Sequence, residues 1–419
     1  MKTGNKILAI FSLLAVGIVG LVLAYDDVRS RVMDRADAAV SQDADTIRRG
    51  AYLAAAADCV ACHTSDDGLA FAGGTPLHTP FGTIYGTNIT PDKRHGIGFY
   101  DADEFFRAVV HGRARDGRHL YPAMPYTSYR DLTREDVDAI YAYLMDLAPI
   151  NLPNKPHELS WPFSMTWTLA FWNSLFVPNQ SLFMKSEEFQ APSSQWRRGE
   201  YLSTALGHCG ECHTPRNLMG AVDPGNALNG AFLEGFEAPD ISTAGLIERG
   251  WSSPDLLQFL KTGISRQGTM TDEMFPVLKH STQYLKDVDA QAMVAYLIGD
   301  QPRRIEQELG FDPSLENGRQ TYLDLCSGCH APDGEGIPHV AVAMTTNTSL
   351  RFENPRNLIL VILKGIEEQD FPGLEHMQAM PGYQSSLNDQ EVAELGNYLR
   401  VTWGGKSASI TASDIRELR

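Results

Sequence analysis

Three times the chain repeats Cys-x-x-Cys-His: Cys59-Val60-Ala61-Cys62-His63, Cys209-Gly210-Glu211-Cys212-His213 and Cys326-Ser327-Gly328-Cys329-His330. The chain has six cysteines, and these motifs use all of them. The spacing lets one helical turn present two thiols to the edge of a flat ring, with the next imidazole placed under its centre. That is the attachment signature of a c-type haem, with two thioethers to the porphyrin and a proximal histidine on the iron. A zinc site would need two more ligands per motif and would leave the trailing histidine idle. A redox dithiol is expected once, in a βαβ pattern, and not three times with histidine attached. Disulfides would leave three histidines unexplained. The expected cofactors are three covalently bound haem c groups, held by Cys59, Cys62, Cys209, Cys212, Cys326 and Cys329, with His63, His213 and His330 on the metal.

Around each motif one plan returns. A first helix enters it: Arg48-Arg49-Gly50-Ala51-Tyr52-Leu53, then Arg197-Arg198-Gly199-Glu200-Tyr201-Leu202, then Gly318-Arg319-Gln320-Thr321-Tyr322-Leu323. Glycine weakens a helix, so its recurrence at one place predicts a close helix crossing. A middle helix then ends on glycine: Asp103 to Val110 before Gly112, Pro254 to Lys261 before Gly263, and Pro355 to Lys364 before Gly365. These glycines suit left-handed caps, and both prolines suit a first helical turn. A last helix carries Val137, Ile140 and Leu144, then Ala290, Met293 and Leu297, then Val392, Leu395 and Leu399 on its apolar side. Thr133 and Asn388 are the expected N-caps. No strand pattern competes, so the predicted class is mainly α. The order of elements resembles the small class I cytochrome c fold, which implies three tandem domains of that type and a crossing of first and last helices at the glycine and an aromatic.

A haem that only carries electrons has both axial positions filled, and a methionine opposite histidine raises its potential. Each repeat offers one in a loop before the last helix: Met124 in Tyr121-Pro122-Ala123-Met124-Pro125, Met270 in Gly268-Thr269-Met270, and Met380 in Gln378-Ala379-Met380-Pro381-Gly382. Met274 and Met377 are the rivals to the last two. Methionine is otherwise a core filler. His111, His208 and His280 could each replace a methionine, or serve as capping and surface residues. A carbonyl just after each motif, around Thr64, Thr214-Pro215 and Ala331-Pro332, is expected to accept the proximal imidazole N–H.

The chain of 419 residues has room for two to four domains. With 43% hydrophobic and 21% charged residues it is a globular sequence. A formal net charge of −17 argues against nucleic acid as a partner. Lys2 and Lys6 precede an uncharged run of 18 residues, Ile7 to Ala24, and Asp26-Asp27 follow it. The charge order puts the rest of the chain outside the inner membrane, where c-type haems are attached. The run is long enough to span a bilayer as a retained anchor, or Val22-Leu23-Ala24 could mark a cleaved signal peptide that leaves a periplasmic protein.

The predicted layout is an anchor or signal segment at 1–24, a tether at 25–45, domains at 46–150, 193–300 and 316–404, linkers at 151–192 and 301–315, and a frayed tail at 405–419. The first linker holds Trp161, Phe163, Trp167, Phe171, Trp172, Phe176 and Phe183. It could lie on a membrane surface, dock a partner through aromatic anchors, or pack between domains. The tail gives no amphipathic anchor.

Longer stretches carry a closer resemblance: Gly86-Thr87-Asn88-Ile89-Thr90-Pro91, His95-Gly96-Ile97-Gly98, Leu120-Tyr121-Pro122-Ala123-Met124-Pro125-Tyr126 and His208-Cys209-Gly210-Glu211-Cys212-His213-Thr214-Pro215-Arg216-Asn217. With these the chain resembles the triple-haem cytochrome c subunit of bacterial membrane-bound dehydrogenases for alcohols, fructose, gluconate and aldehydes. The resemblance implies Met124, Met270 and Met380 as axial ligands. It also implies a catalytic dehydrogenase subunit of flavin, pyrroloquinoline quinone or molybdenum type as electron donor, and ubiquinone in the membrane as acceptor. The chain departs from that pattern in its N-terminal run and in lacking an amphipathic C-terminal tail.

No Gly-x-Gly-x-x-Gly follows a strand, so no nicotinamide or flavin site is expected and the chain reads as a non-catalytic electron-transfer subunit. Two other classes stay open. One is an anchored shuttle to a downstream cytochrome or terminal oxidase. The other is a multihaem peroxidase or reductase, which would need an open sixth position, and the second repeat is the place for it.

Overall fold

The computed structural model describes residues 39–177, 193–299 and 312–419 apart from 67 and 234, together with positions 17 and 20. Those two positions aside, the run from Ile7 to Ala24 lies outside the described residues, as do most of the tether, Phe183 and much of the second linker. Among the described residues no helix is long and apolar enough to cross a membrane. The chain divides into two compact units, residues 1–190 with 204–208, and 191–203 with 209–419. Apart from residues 204–208, the second repeat therefore shares one unit with the third.

The first unit is organised by α1 (Ala44–Ala56), capped by the Asp43 side chain. After α1 come α2 (Cys59–His63), β1 (Pro76–Thr79), β2 (Gly82–Tyr85), α3 (Ala102–His111), α4 (Tyr126–Tyr129) and α5 (Arg134–Asp146). Helix α1 crosses α5 at Gly50, where an added Cβ would stand 1.8 Å from Ala139 O and 2.8 Å from Tyr143 Cβ. The backbones can meet only because no side chain intervenes, which bears out the close crossing read from the recurring glycine. Leu53, Val137, Ile140 and Leu144 are buried at this crossing face. Each such residue contributes roughly 1.5–3 kcal/mol. Arg49 adds an ion pair to the buried Asp136 at 2.5 Å. Thr133 caps α5 as expected.

The strands were not foreseen. β1, β2 and β3 (Glu158–Leu159) form one antiparallel sheet with Leu77 opposite Ile84 and Gly82 opposite Leu159. Such short strands give too few residues for an alternation to register. The aromatic linker continues into α6 (Leu169–Phe176) and lays one face on the first repeat. Ala170 and Asn173 are buried there, and Asn173 Oδ1 accepts the Tyr126 hydroxyl at 2.8 Å. Trp161, ahead of the helix, and Leu175 on it are 79% and 76% exposed.

The second unit repeats the plan. Its elements begin with α7 (Ser194–Glu200), which runs on in π-helical geometry through Tyr201–Leu206, then α8 (Gly210–His213), β4 (Asn229–Phe232), β5 (Glu237–Asp240), α9 (Thr243–Glu248) and α10 (Ser253–Thr262). Next come β6 (Ile264–Ser265), β7 (Gly268–Thr269), α11 (Met274–His280) and α12 (Asp287–Leu297). A Cβ on Gly199 would lie 1.8 Å from Ala292 O, and Arg198 grips Asp289 with two bonds of 2.8 and 2.9 Å. Both features match the first repeat position for position.

The third repeat has α13 (Glu316–Leu325), α14 (Ser327–His330), α15 (Arg356–Lys364), β8 (Gly365–Ile366), β9 (Gln369–Phe371), β10 (Glu375–Met377), β11 (Met380–Pro381) and α16 (Asp389–Leu399). A Cβ on Gly318 would sit 2.2 Å from Glu394 O. Asn388 closes a full capping box on α16. Tyr322 and Tyr398 each meet Trp403 edge-on in the core and are tilted against each other.

Two expectations need correction. Gly112 and Gly263 adopt the left-handed cap, but Gly365 has φ 78° and ψ −171°. The chain there turns straight into β8 to pair with β11, and a Cβ would strike Met380 O at 2.2 Å. The tail is not frayed: α17 (Ala412–Leu418) docks on the third repeat with Ile410 and Ile415 in its core. The Asn397 side chain bonds Ile410 through both its main-chain groups at 2.9 Å, and Thr411 caps the helix.

Candidate haem centres

Each motif histidine sits at the end of a one-turn helix and donates Nδ1–H to a main-chain carbonyl. The acceptors are Thr87 O for His63 at 2.6 Å, Pro239 O for His213 at 2.7 Å and Val342 O for His330 at 2.9 Å. This fixes the tautomer and leaves Nε2 with its lone pair, the form that ligates a metal. Burial holds all three imidazoles below the usual histidine range, hence neutral.

The acceptors are not the residues just after each motif. They lie 24, 26 and 12 positions downstream. A carbonyl leaves no mark in the residue type, so residue patterns hold little to find it by. The exception is Gly86: a Cβ there would stand 1.7 Å from Cys62 O, so only glycine lets the Thr87 segment reach the motif. Asn88 then ties this segment down, accepting from Thr90 N and Oγ1 and donating to Ile150 O and Leu152 O.

None of the six motif cysteines is in a disulfide. Burial pushes Cys59 and Cys209 up to about 12 and Cys326 to about 11. A redox dithiol needs the opposite shift, toward thiolate. The donor set at each motif is thus a pair of thiols and one oriented neutral imidazole, which fits covalent haem with a histidine-bound iron.

The three loop methionines are placed by one device. Each loop pairs back onto the residues that end the middle helix. Leu120 N–H donates to Gly112 O at 2.8 Å ahead of Met124, Met270 N–H donates to Gly263 O at 2.7 Å, and Met380 pairs with Ile366 beside Gly365. Met270 is buried at 1% exposure, whereas Met274 opens α11. Met377 lies in the β9–β10 hairpin, away from the β8–β11 pair. His111 closes α3 against Phe106, and His280 closes α11. His208 packs on Tyr129 with Nε2 3.3 Å from Ala57 O.

The cytochrome c family model matches residues 47–148 and 315–403, the first and third repeats. The cytochrome c subunit of a quinone alcohol dehydrogenase from Gluconacetobacter polyoxogenes is 38% identical over 91% of this chain and 86% of that protein. The gluconate 2-dehydrogenase cytochrome c subunit of Pantoea cypripedii is 38% identical over 89% of each. The fructose dehydrogenase cytochrome subunit of Gluconobacter japonicus is 35% identical over 95% of this chain and 87% of that one. Histidines held on carbonyls, paired cysteines outside any disulfide and this similarity along nearly the whole chain agree: the chain belongs to the family of cytochrome c subunits of bacterial membrane-bound dehydrogenases.

Proposed function

We propose that the chain is a triple-haem electron-transfer subunit that takes electrons from a periplasmic dehydrogenase subunit and delivers them to the respiratory chain, with ubiquinone as acceptor. The observation that carries it is the threefold recurrence of one donor set, two thiols and a carbonyl-held imidazole, each followed by a methionine loop anchored at the end of a middle helix. When bound, haem c supplies one-electron chemistry. Cys59, Cys62 and His63, Cys209, Cys212 and His213, and Cys326, Cys329 and His330 would hold it, and Met124, Met270 and Met380 would supply a thioether from each loop that keeps substrates off the metal. The second repeat, outside the family match, is read as a third domain because Gly199 and the Arg198–Asp289 pair copy the first. The relatives named for alcohol, gluconate and fructose dehydrogenases support a partner that performs the oxidation; flavin, pyrroloquinoline quinone or molybdenum is the cofactor proposed for it. The segment Ile7–Ala24 anchors the protein, with the haem domains on the periplasmic face.

The test is purification of the tagged chain from membranes in mild detergent, with haem counted per chain. Three haems and a co-purifying large subunit carrying an organic or molybdenum cofactor are expected. A lone cytochrome would point to the shuttle reading, and rapid carbon monoxide binding at one reduced haem to the peroxidase or reductase reading.

A further inference from the structure

An acidic chain has three arginines sunk in its second unit: Arg249 and Arg351 at 8% exposure and Arg400 at 2%. A buried guanidinium stays charged, and in a low-dielectric interior its field reaches further than at the surface. Arg351 lies where the second and third repeats meet. Its Nη1 donates to Arg249 O at 2.7 Å and toward Gln267 Oε1 at 3.5 Å, and its Nη2 donates to Thr345 O at 3.3 Å.

Both ends of that bridge belong to a candidate haem centre. Gln267 is three residues before Met270, and its carbonyl accepts Thr348 N–H at 2.8 Å while its Nε2 donates to Gly250 O at 2.8 Å. Thr345 is three residues after Val342, the carbonyl that holds His330. Trp251 Nε1 donates to Thr348 Oγ1 at 3.1 Å across the same seam. Arg249 stacks on Phe352 at 5.5 Å and is near enough to His213 to act on it electrostatically. Its Nε has no hydrogen-bond partner among the described residues. The charges facing the seam are Asp240, Glu237 and Glu248 around Arg249, and Arg266, paired to Asp255, near Arg351. Of the carboxylates, Glu248 is exposed and Asp255 is neutralised by its own arginine.

We propose that Arg351, with Arg249 behind it, is a potential-setting residue that joins the methionine loop of the second haem centre to the segment whose carbonyl holds the histidine of the third and raises the reduction potential of both. Reduction adds one electron to each centre, and a fixed buried positive charge favours the state that holds it. The inference rests on the three-haem reading above.

The test is a spectroelectrochemical titration of the full chain and of R351Q, R351K and R249Q, with haem per chain measured first. Waves are assigned from M124H and M380H backgrounds. Fewer than three haems on the unsubstituted chain would defeat the three-haem reading, not this one. With three haems present, R351Q is expected to lower the reduction equilibrium of the second and third centres by tenfold or more, about 59 mV for one electron. R351K should recover most of that shift, and the first centre should stay put. R249Q should lower the second centre alone, and it decides the matter if R351Q fails to fold. Unmoved potentials in R351Q or, failing it, in R249Q would overturn the proposal. So would a shift that lysine does not recover.

Discussion

Gly199 lies so close to Ala292 that a single added methyl would stand 1.8 Å from the Ala292 carbonyl oxygen. No rotamer relieves such a contact, because a Cβ has none. The helices must separate, and the half-buried pair Arg198–Asp289 must open with them.

Gly199→Ala is therefore expected to destabilise the second unit by about 3 kcal/mol or more, by analogy with other overpacked cores. Gly328→Ala is the control. Gly328 lies inside the third Cys-x-x-Cys-His, yet its Cβ position has nothing within 4 Å. Thermal unfolding followed by circular dichroism should separate the two variants clearly. Equal stability would mean that the crossing is looser than the structure has it.

Met380→Ala is expected to lower the potential of one haem and to slow quinone reduction, with haem attachment intact. Potentiometry on the purified variant checks this. Potentials equal to those of the parent would remove Met380 as an axial ligand.

Asp58 precedes the first motif in a left-handed conformation, φ 52°, and burial pushes its carboxyl up to about 8 from 3.8. A folded-state value above the unfolded one means that stability is lost as the unfolded carboxyl ionises, from about pH 4 upward, until the folded one ionises near pH 8. Asp58→Asn tolerates the left-handed backbone and cannot ionise. It should be more stable than the parent above pH 8, by an amount on the order of several kcal/mol, with the gap closing toward pH 4. Melting curves across that range decide it, and a gap constant with pH would contradict the assignment.

Ile415 is fully buried although it lies four residues from the last position. Ile415→Ala should cost about 2–5 kcal/mol if α17 belongs to the core of the third repeat. Proteolysis with mass mapping gives the readout. A variant as resistant as the parent would return this segment to the status of a loose tail.

The close helix crossings were legible because Gly50, Gly199 and Gly318 each stand in the helix that enters a motif, and a helix-weakening glycine recurs there three times. The motif residues and the methionine loops were legible because they carry chemistry in their side chains. What escaped was written in the main chain. Thr87, Pro239 and Val342 share no residue type, since only their carbonyls act. Gly365 looked like a third copy of the Gly112 and Gly263 caps, but the turn into β8 demanded a different backbone. The tail misled because its anchors, Ile410 and Ile415, are two apolar residues in a polar segment, too few to form a pattern.

The distances along the chain between each histidine and its carbonyl have a consequence for the order of assembly. The spans are 24 and 26 residues in the first two repeats and 12 in the third. Halving a loop lowers the entropy cost of closing it by about 0.6 kcal/mol. Other things equal, the His330 ring is steered into its ligating pose about threefold more often in the nascent ensemble than the other two. The last motif to leave the ribosome has the shortest wait for its orienting bond, which narrows the lead that the earlier motifs gain from being made first.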